Sequence, residues 1–465
     1  MQTKNKRHPF RNSGRILTGL FLFLTAWLLP GEGFSQEKLV LKPADLVDLA
    51  IKNSNLVKIS QAQLEAARAR MEQTKDKNLP NVGISGAFYV FDTPTFKPAV
   101  GLRNLLGTNS SSNSGSSSKG ISASNSTLLQ ASASENIFGG FKNKYTLESD
   151  TYLVKAAQLK ADFNQDEAVL NALSAYYNIY KLMANQYLLN QDLAEQNRRV
   201  KDFQNLEKNG LLTRNDLLKA EVGASSIKVN ILDVSNALDI ARYNLKIMLG
   251  LSDATALEID TLSLFKDRVV KSREEMIQYA LDNRSDLQAG NQENESYKAR
   301  VLSSKSGYYP QVALSAGYLD AWIPGVLSIR NLFNASLGAR YNLTSLFTTK
   351  HQVQEAKANL NSSIASNQYL ADQIKMSVNQ NYLNYLETLK KVDLDQDIID
   401  QASENYKILK NKYANSLATL TDLLDGELTL LQARLNLSNA KADAQVAYFN
   451  LIKASGMKFT KETIN

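Results

Sequence analysis

The sequence predicts a mainly helical chain with amphipathic β-strands of transmembrane-barrel length, built twice from one helix–strand–strand–helix–helix unit. Three observations predict this. Only 8 of 465 residues are proline, and none lies between Pro98 and Pro310 or after Pro324. Proline breaks helix interiors, so two very long stretches are free to be helical. Four segments beside these stretches alternate apolar with small or polar residues over about nine or ten positions, the length of a membrane β-strand. Finally, the two halves of the chain match each other at constant offsets.

Composition removes several function classes. There is no Cys, which excludes disulfides, thiolate nucleophiles, thiolate zinc or iron–sulfur sites and a lipidated N-terminal Cys. Two His leave little room for His-based catalysis or metal binding. The formal charge of +7 invites a nucleic-acid partner until its location is traced.

Residues 1–35 read as a secretory signal peptide. Lys4, Lys6, Arg7, Arg11 and Arg15 precede an apolar run from Ile16 to Leu29, then Pro30-Gly31 and small residues at 33 and 35. The run of about 14 residues is shorter than the ~20 a spanning helix needs. Five basic residues and one acid lie in this segment, which leaves 48 basic and 45 acidic residues, a formal +3. The nucleic-acid expectation goes with them.

The first repeat is read at 36–250, a linker at 251–271, the second repeat at 272–456 and a tail at 457–465. At an offset of 230, Ala69-Arg70 and Leu79-Pro80 match Ala299-Arg300 and Tyr309-Pro310, and Asn53 matches Asn283. At an offset of 206, Asn136, Phe141 and Tyr176 match Asn342, Phe347 and Tyr382, and Gly250 matches Gly456. The offsets differ by 24, so the first repeat carries an insertion, a Ser/Gly-rich loop at 101–124 that contains NSSSNSGSSS. Strands are expected at about 81–91, 127–136, 311–319 and 332–341. Val82, Ile84, Phe88 and Val90 alternate with Gly83, Ser85, Ala87 and Tyr89, and the other three segments follow suit. A soluble half-buried sheet alternates identically. Lipid tolerates no open sheet edge and known barrels have eight strands or more, so membrane strands here would require at least a dimer.

From Lys144 to about Asn209 the composition favours helix, and Leu170, Leu173, Tyr177, Tyr180, Ala184 and Tyr187 step by three and four. Roughly 65 residues at 1.5 Å each span about 100 Å. The long helices of each repeat meet at a short tip, 209–216 and 415–422. Gly210 suits a tight turn, and Asn215 or Asp216 can cap the next helix. Leu211, Leu212, Leu417 and Leu420 are apolar residues at turns, open to partner contact or to packing around the turn.

Asn209-Gly210-Leu211-Leu212-Thr213 through Asp216-Leu217-Leu218, its counterpart Asn415-Ser416-Leu417 through Asp422-Leu423-Leu424, and the Leu-Pro and Tyr-Pro steps into the strands resemble the TolC-like outer membrane efflux proteins. The resemblance spans about Leu39 to Gly456. It implies a homotrimer with a 12-stranded barrel in outer membrane lipid and a 12-helix periplasmic tunnel. It also implies a periplasmic adaptor (membrane fusion protein) docked at the tips and joined to an inner-membrane pump. Gly210, Leu211, Leu212, Thr213, Ser416, Leu417 and Thr419 would form the docking tips. Asp422 and Asp425, with Tyr413, would form the periplasmic gate, where three copies of the two carboxylates would favour cations. The chain departs from the family in one place: the arginine expected beyond the second turn is Ala418.

No nucleophile–base pair, cofactor motif or phosphate-binding loop is visible. His351 reads as an exposed helical residue. The expectation is a passive exit duct of an efflux system, without cofactor, metal or nucleic acid. A protein-secretion duct and an exported structural coiled-coil protein are the alternatives.

Overall fold

The computed structural model describes residues 38–90, 95–96, 121–122, 125–260, 268–323 and 327–464. The signal-peptide segment, residue 91 and nearly all of the 101–124 loop lie outside them. β1 (Lys38–Leu41) leads into α1 (Pro43–Asn53) and α2 (Asn55–Asp76). β2 (Asn81–Val90), the short pair β3 (Thr95–Phe96) and β4 (Ile121–Ser122), and β5 (Asn125–Gly139) follow. The first hairpin is α3 (Lys142–Lys208) and α4 (Arg214–Met248). After β6 (Ala256–Ile259), the second unit repeats the order: α5 (Arg273–Asn283), α6 (Ser285–Ser304), β7 (Gln311–Ile323), β8 (Leu327–Arg340), α7 (Ser345–Ala414) and α8 (Leu420–Ala454). A final turn, α9 (Lys461–Ile464), closes the chain.

The two long helices have 67 and 70 residues, about 100 Å each at 1.5 Å per residue. β5, β7 and β8 run beyond their expected ends because cross-strand pairing carries them past the cleanly alternating positions. The expected single helix before each strand pair is two helices. The break falls at Ser54 and at Arg284, each in extended ψ, and neither has a Pro or Gly beside it.

A long-range contact accounts for both breaks. The Asn53 side chain donates to the Leu249 carbonyl at 2.8 Å, one of the orphan acceptors at the end of α4. In the second unit, Arg284 Nη1 donates to the Ala454 carbonyl at 3.0 Å, at the end of α8. Helix end therefore meets helix start at equivalent places. Gly250 and Gly456 close these ends with φ of 60° and 73°. Each sits against its junction residue, where a Cβ on Gly250 would lie 3.1 Å from Asn53 and one on Gly456 2.7 Å from Arg284. Backbone sign and space both demand glycine.

The linker is not plain loop. β6 lies within it and pairs in parallel with β1, Lys38 against Ala256 through Leu41 against Ile259. Tyr176 of α3 donates to the Leu41 and Asp260 carbonyls at 3.1 and 2.9 Å, tying this pair to the hairpin. Leu173, Tyr177, Leu245 and Phe449 fill the core beneath it. The tail joins the same core through Phe459 and Ile464. Of the expected apolar stripe on α3, Leu170, Leu173 and Tyr177 are buried, but Tyr187 is exposed.

Candidate functional site

The four longer strands form one antiparallel sheet in the order β2-β5-β7-β8, and among the described residues β2 and β8 each leave an unpaired edge. Its register sorts the side chains. One face carries the rows Gly83–Ser132–Gly317–Asn334 and Asn81–Ser134–Ser315–Ser336. Ser315 and Ser336 hydrogen-bond at 2.8 Å. The other face carries Val82–Ala133–Ala316–Ala335 and Ile84–Ala131–Tyr318–Phe333. Among the described residues no helix packs over this apolar face: Ile84 is 79% and Phe333 77% exposed. A soluble half-buried sheet would cover them, since each large side chain gains about 1.5–3 kcal/mol on burial.

At the opposite end of the long helices stand the two tips. Each first helix ends with a left-handed residue, Gly210 at φ 70° and Ser416 at φ 59°. Each next helix starts with a threonine N-cap: Thr213 accepts from the Asp216 N–H at 3.1 Å and Thr419 from the Asp422 N–H at 3.2 Å. The caps are thus the threonines rather than Asn215 or Asp216. Asp422 completes a capping box: its carboxylate accepts from the Thr419 hydroxyl at 2.7 Å and from the Thr419 N–H at 2.9 Å, and these two bonds, the hydroxyl's first, hold its carboxyl below the usual range. Asp422 and Asp425 are both exposed. The tip leucines separate into two kinds. Leu212 and Leu420 pack with Phe203, Leu217 and Tyr413, whereas Leu211 and Leu417 stand 74% and 76% exposed.

Farther up, α3, α7 and α8 share a buried ionic cluster. Arg199 pairs with Glu427, and Gln196 donates to the same carboxylate at 2.7 Å. Tyr406 donates to Glu195 at 2.9 Å. Asp192 lines the adjoining cavity of about 340 Å³ with Glu195, Tyr406 and Glu427. Burial first, then the charges of Glu427 and Glu195, raise Asp192 to about 6. The sequence signal for this cluster is a charge inside an apolar stripe: Glu427 falls between Leu423 and Leu430, both buried.

Among the described residues, two further helix faces have no packing partner. On α4, Val222, Val229, Leu232, Ile240, Tyr243 and Ile247 are exposed, opposite the Leu217–Ala220–Ala224–Leu238–Leu245 face that packs on α3. On α7, Tyr369, Met376 and Leu383 repeat every seven residues and are exposed. Apolar side chains at this spacing are those of a coiled-coil seam.

A family model described as outer membrane efflux protein matches residues 46–251 and 276–457, one block per repeat. The chain belongs to that family. It is an outer membrane exit duct, of a family of channels rather than enzymes. A comparison with curated proteins gives no match. Among solved structures, the outer membrane protein VceC of Vibrio cholerae matches with TM-score 0.71 at 18% identity, covering 90% of this chain and 96% of that one. The CmeC outer membrane channel of Campylobacter jejuni gives 0.74 at 16%, covering 90% and 86%. OprN, described as an outer-membrane channel, gives 0.73 at 15%, covering 90% of each. At these identities the likeness is one of fold. The efflux protein's helical hairpins and four-stranded sheet are that fold's parts.

Proposed function

We propose that the efflux protein works as a homotrimer in which each chain gives four strands to a closed 12-stranded barrel and four helical strands to a 12-helix tunnel. The sheet carries this reading: among the described residues it has an apolar face that no helix covers, a polar opposite face and two unpaired edges. Lipid forbids open edges, so the edges must be met by further copies. The apolar face then meets lipid, and the Ser/Asn/Gly rows line a wet lumen. The free seams on α4 and α7 differ from one another, so they support head-to-tail packing around a ring, α4 of one copy on α7 of the next. Residues 1–35 act as the export signal.

The duct is passive, with energy supplied by an inner-membrane pump through a periplasmic adaptor. Leu211 and Leu417 are its docking contacts, at equivalent places of the two tips; Leu212 supports the first turn from inside. Gly210, Ser416, Thr213 and Thr419 set the turn shapes. Asp422 and Asp425 from three copies form the periplasmic mouth, with Tyr413 packed behind them. The test is the mass of the purified chain in detergent. A trimer that separates into monomers only on heating is expected; a monomer in mild detergent would sink the assembly.

A further inference from the structure

The chain already holds one example of the contact that a ring of copies needs. β5 and β7 pair, and α3, which follows β5, packs on α6, which leads into β7. Lys160 pairs with Glu293, and Ser149 bonds Ser296, along that packing. The free edges of the sheet continue in the same way. β8 runs through residues 341–344 into α7, and α2 runs through residues 77–80 into β2. Where β8 of one copy meets β2 of the next, α7 comes to lie beside the next copy's α2. By the repeat offsets of 206 and 230, α7 is the counterpart of α3, and α2 the counterpart of α6.

The two faces fit. α2 buries Val57, Ser60, Leu64 and Thr74 towards α3, which leaves Ile59, Ala62, Ala66 and Ala69 exposed on its far side. On α7, Ile374 and Val378 are buried, and Tyr369 stands 64% exposed on the opposite side. Small residues on one helix form the hole in which a large residue of its neighbour seats. Carried over by the offsets, the Lys160–Glu293 contact becomes Ser366 against Gln63. Three residues on along α7, and three back along the antiparallel α2, Tyr369 comes between Ile59 and Ala62. Three more bring Asp372 beside Lys58. Contacts within the chain give the same height. Ser60 with Asn164, Lys160 with Glu293 and Asn291 with Asn367 place Tyr369 level with Ser60 at 1.5 Å per residue. Copies around one axis stand level, so these heights carry across the seam. Lys58 and Asp372 are both exposed. Within its own chain Asp372 pairs with the exposed Lys375 at 2.9 Å, a surface pair that holds it weakly.

We propose that Asp372 of one copy and Lys58 of the next form an ion pair that sets the register of the seam between copies, with Tyr369 seated against Ile59 and Ala62 beside it. The half of the ring nearer the sheet closes on α2, and the α4 seam serves the half nearer the tips. The proposal rests on the ring assembly and adds its register.

The chain has no cysteine, so an introduced pair reports alone. Ala62→Cys combined with Tyr369→Cys should oxidise to a disulfide-linked ladder ending at trimer on denaturing gels, because the bond needs Cβ atoms about 4 Å apart. Ala69→Cys combined with Tyr369→Cys, about two turns off, should not link. Lys58→Asp and Asp372→Lys should each lower the temperature at which the trimer separates, and the two together should restore it. A trimer that links through neither cysteine pair or only through the displaced one, or whose two charge reversals add rather than cancel, overturns the register and leaves the ring assembly standing. Wild type that is monomeric in mild detergent defeats the assembly and this proposal with it.

Discussion

Ser416 carries a cost that Gly210 does not. Both occupy the left-handed position that ends the first helix of a tip, but a side chain there costs ~1–2 kcal/mol. Replacing Ser416 with Gly should stabilise the second tip by about 0.5–1 kcal/mol after the extra chain entropy of glycine, read as a rise in melting temperature. Gly210→Ala should do the reverse, through backbone alone, because nothing lies within 4 Å of the added Cβ. Asp192 makes a second prediction. Its carboxyl holds a proton in the folded chain to about pH 6, against 3.8 as the ordinary value. The folded state therefore gains below pH ~4 and loses that gain as pH rises through about 6. Asp192 is partly exposed, so solvent screening reduces the effect to about 1–2 kcal/mol. Asp192→Asn should raise stability by that amount at pH 8 and by almost nothing at pH 4. Identical pH profiles for the two proteins would contradict the assignment. At this scale the sequence is partly legible. The tip turns and the Thr–Asp spacing of the caps are visible, but Arg199 and Glu427 are 228 residues apart and meet only through the packing of α3 on α8.

The elements were easier to read where one local rule dominates. Absent proline marks α3 and α7, and period-two alternation marks β2, β5, β7 and β8. The breaks at Ser54 and Arg284 are invisible locally, since the partner carbonyls of Leu249 and Ala454 lie about 170 to 200 residues away. The parallel β1–β6 pair is hidden for the same reason, with four residues on each side and no turn between them. The exposed seams on α4 and α7 yield a prediction at this level. Val229→Glu with Ile240→Glu on α4 should weaken the trimer without unfolding the hairpin, because these side chains face away from α3. The expected result is a shift towards monomer in detergent at unchanged helical circular dichroism. Loss of helix would mean that the stripe packs within the chain.

The whole molecule is a duplicated unit whose two ends face different surroundings, a bare apolar sheet at one and solvent-exposed leucine tips at the other. The repeated element order and the amphipathic strands are legible in the sequence; closure of a barrel is not, because one chain holds only part of it. The net charge of the chain matters less than where single charges stand, with Asp422 and Asp425 both exposed on the first turns of α8. Single-channel recording of the purified trimer in planar bilayers tests the duct most directly. Steady conductance is predicted, with cation selectivity that falls when Asp422 and Asp425 are both replaced by Asn. A trimer that inserts yet never conducts, in wild type or in that variant, would contradict it.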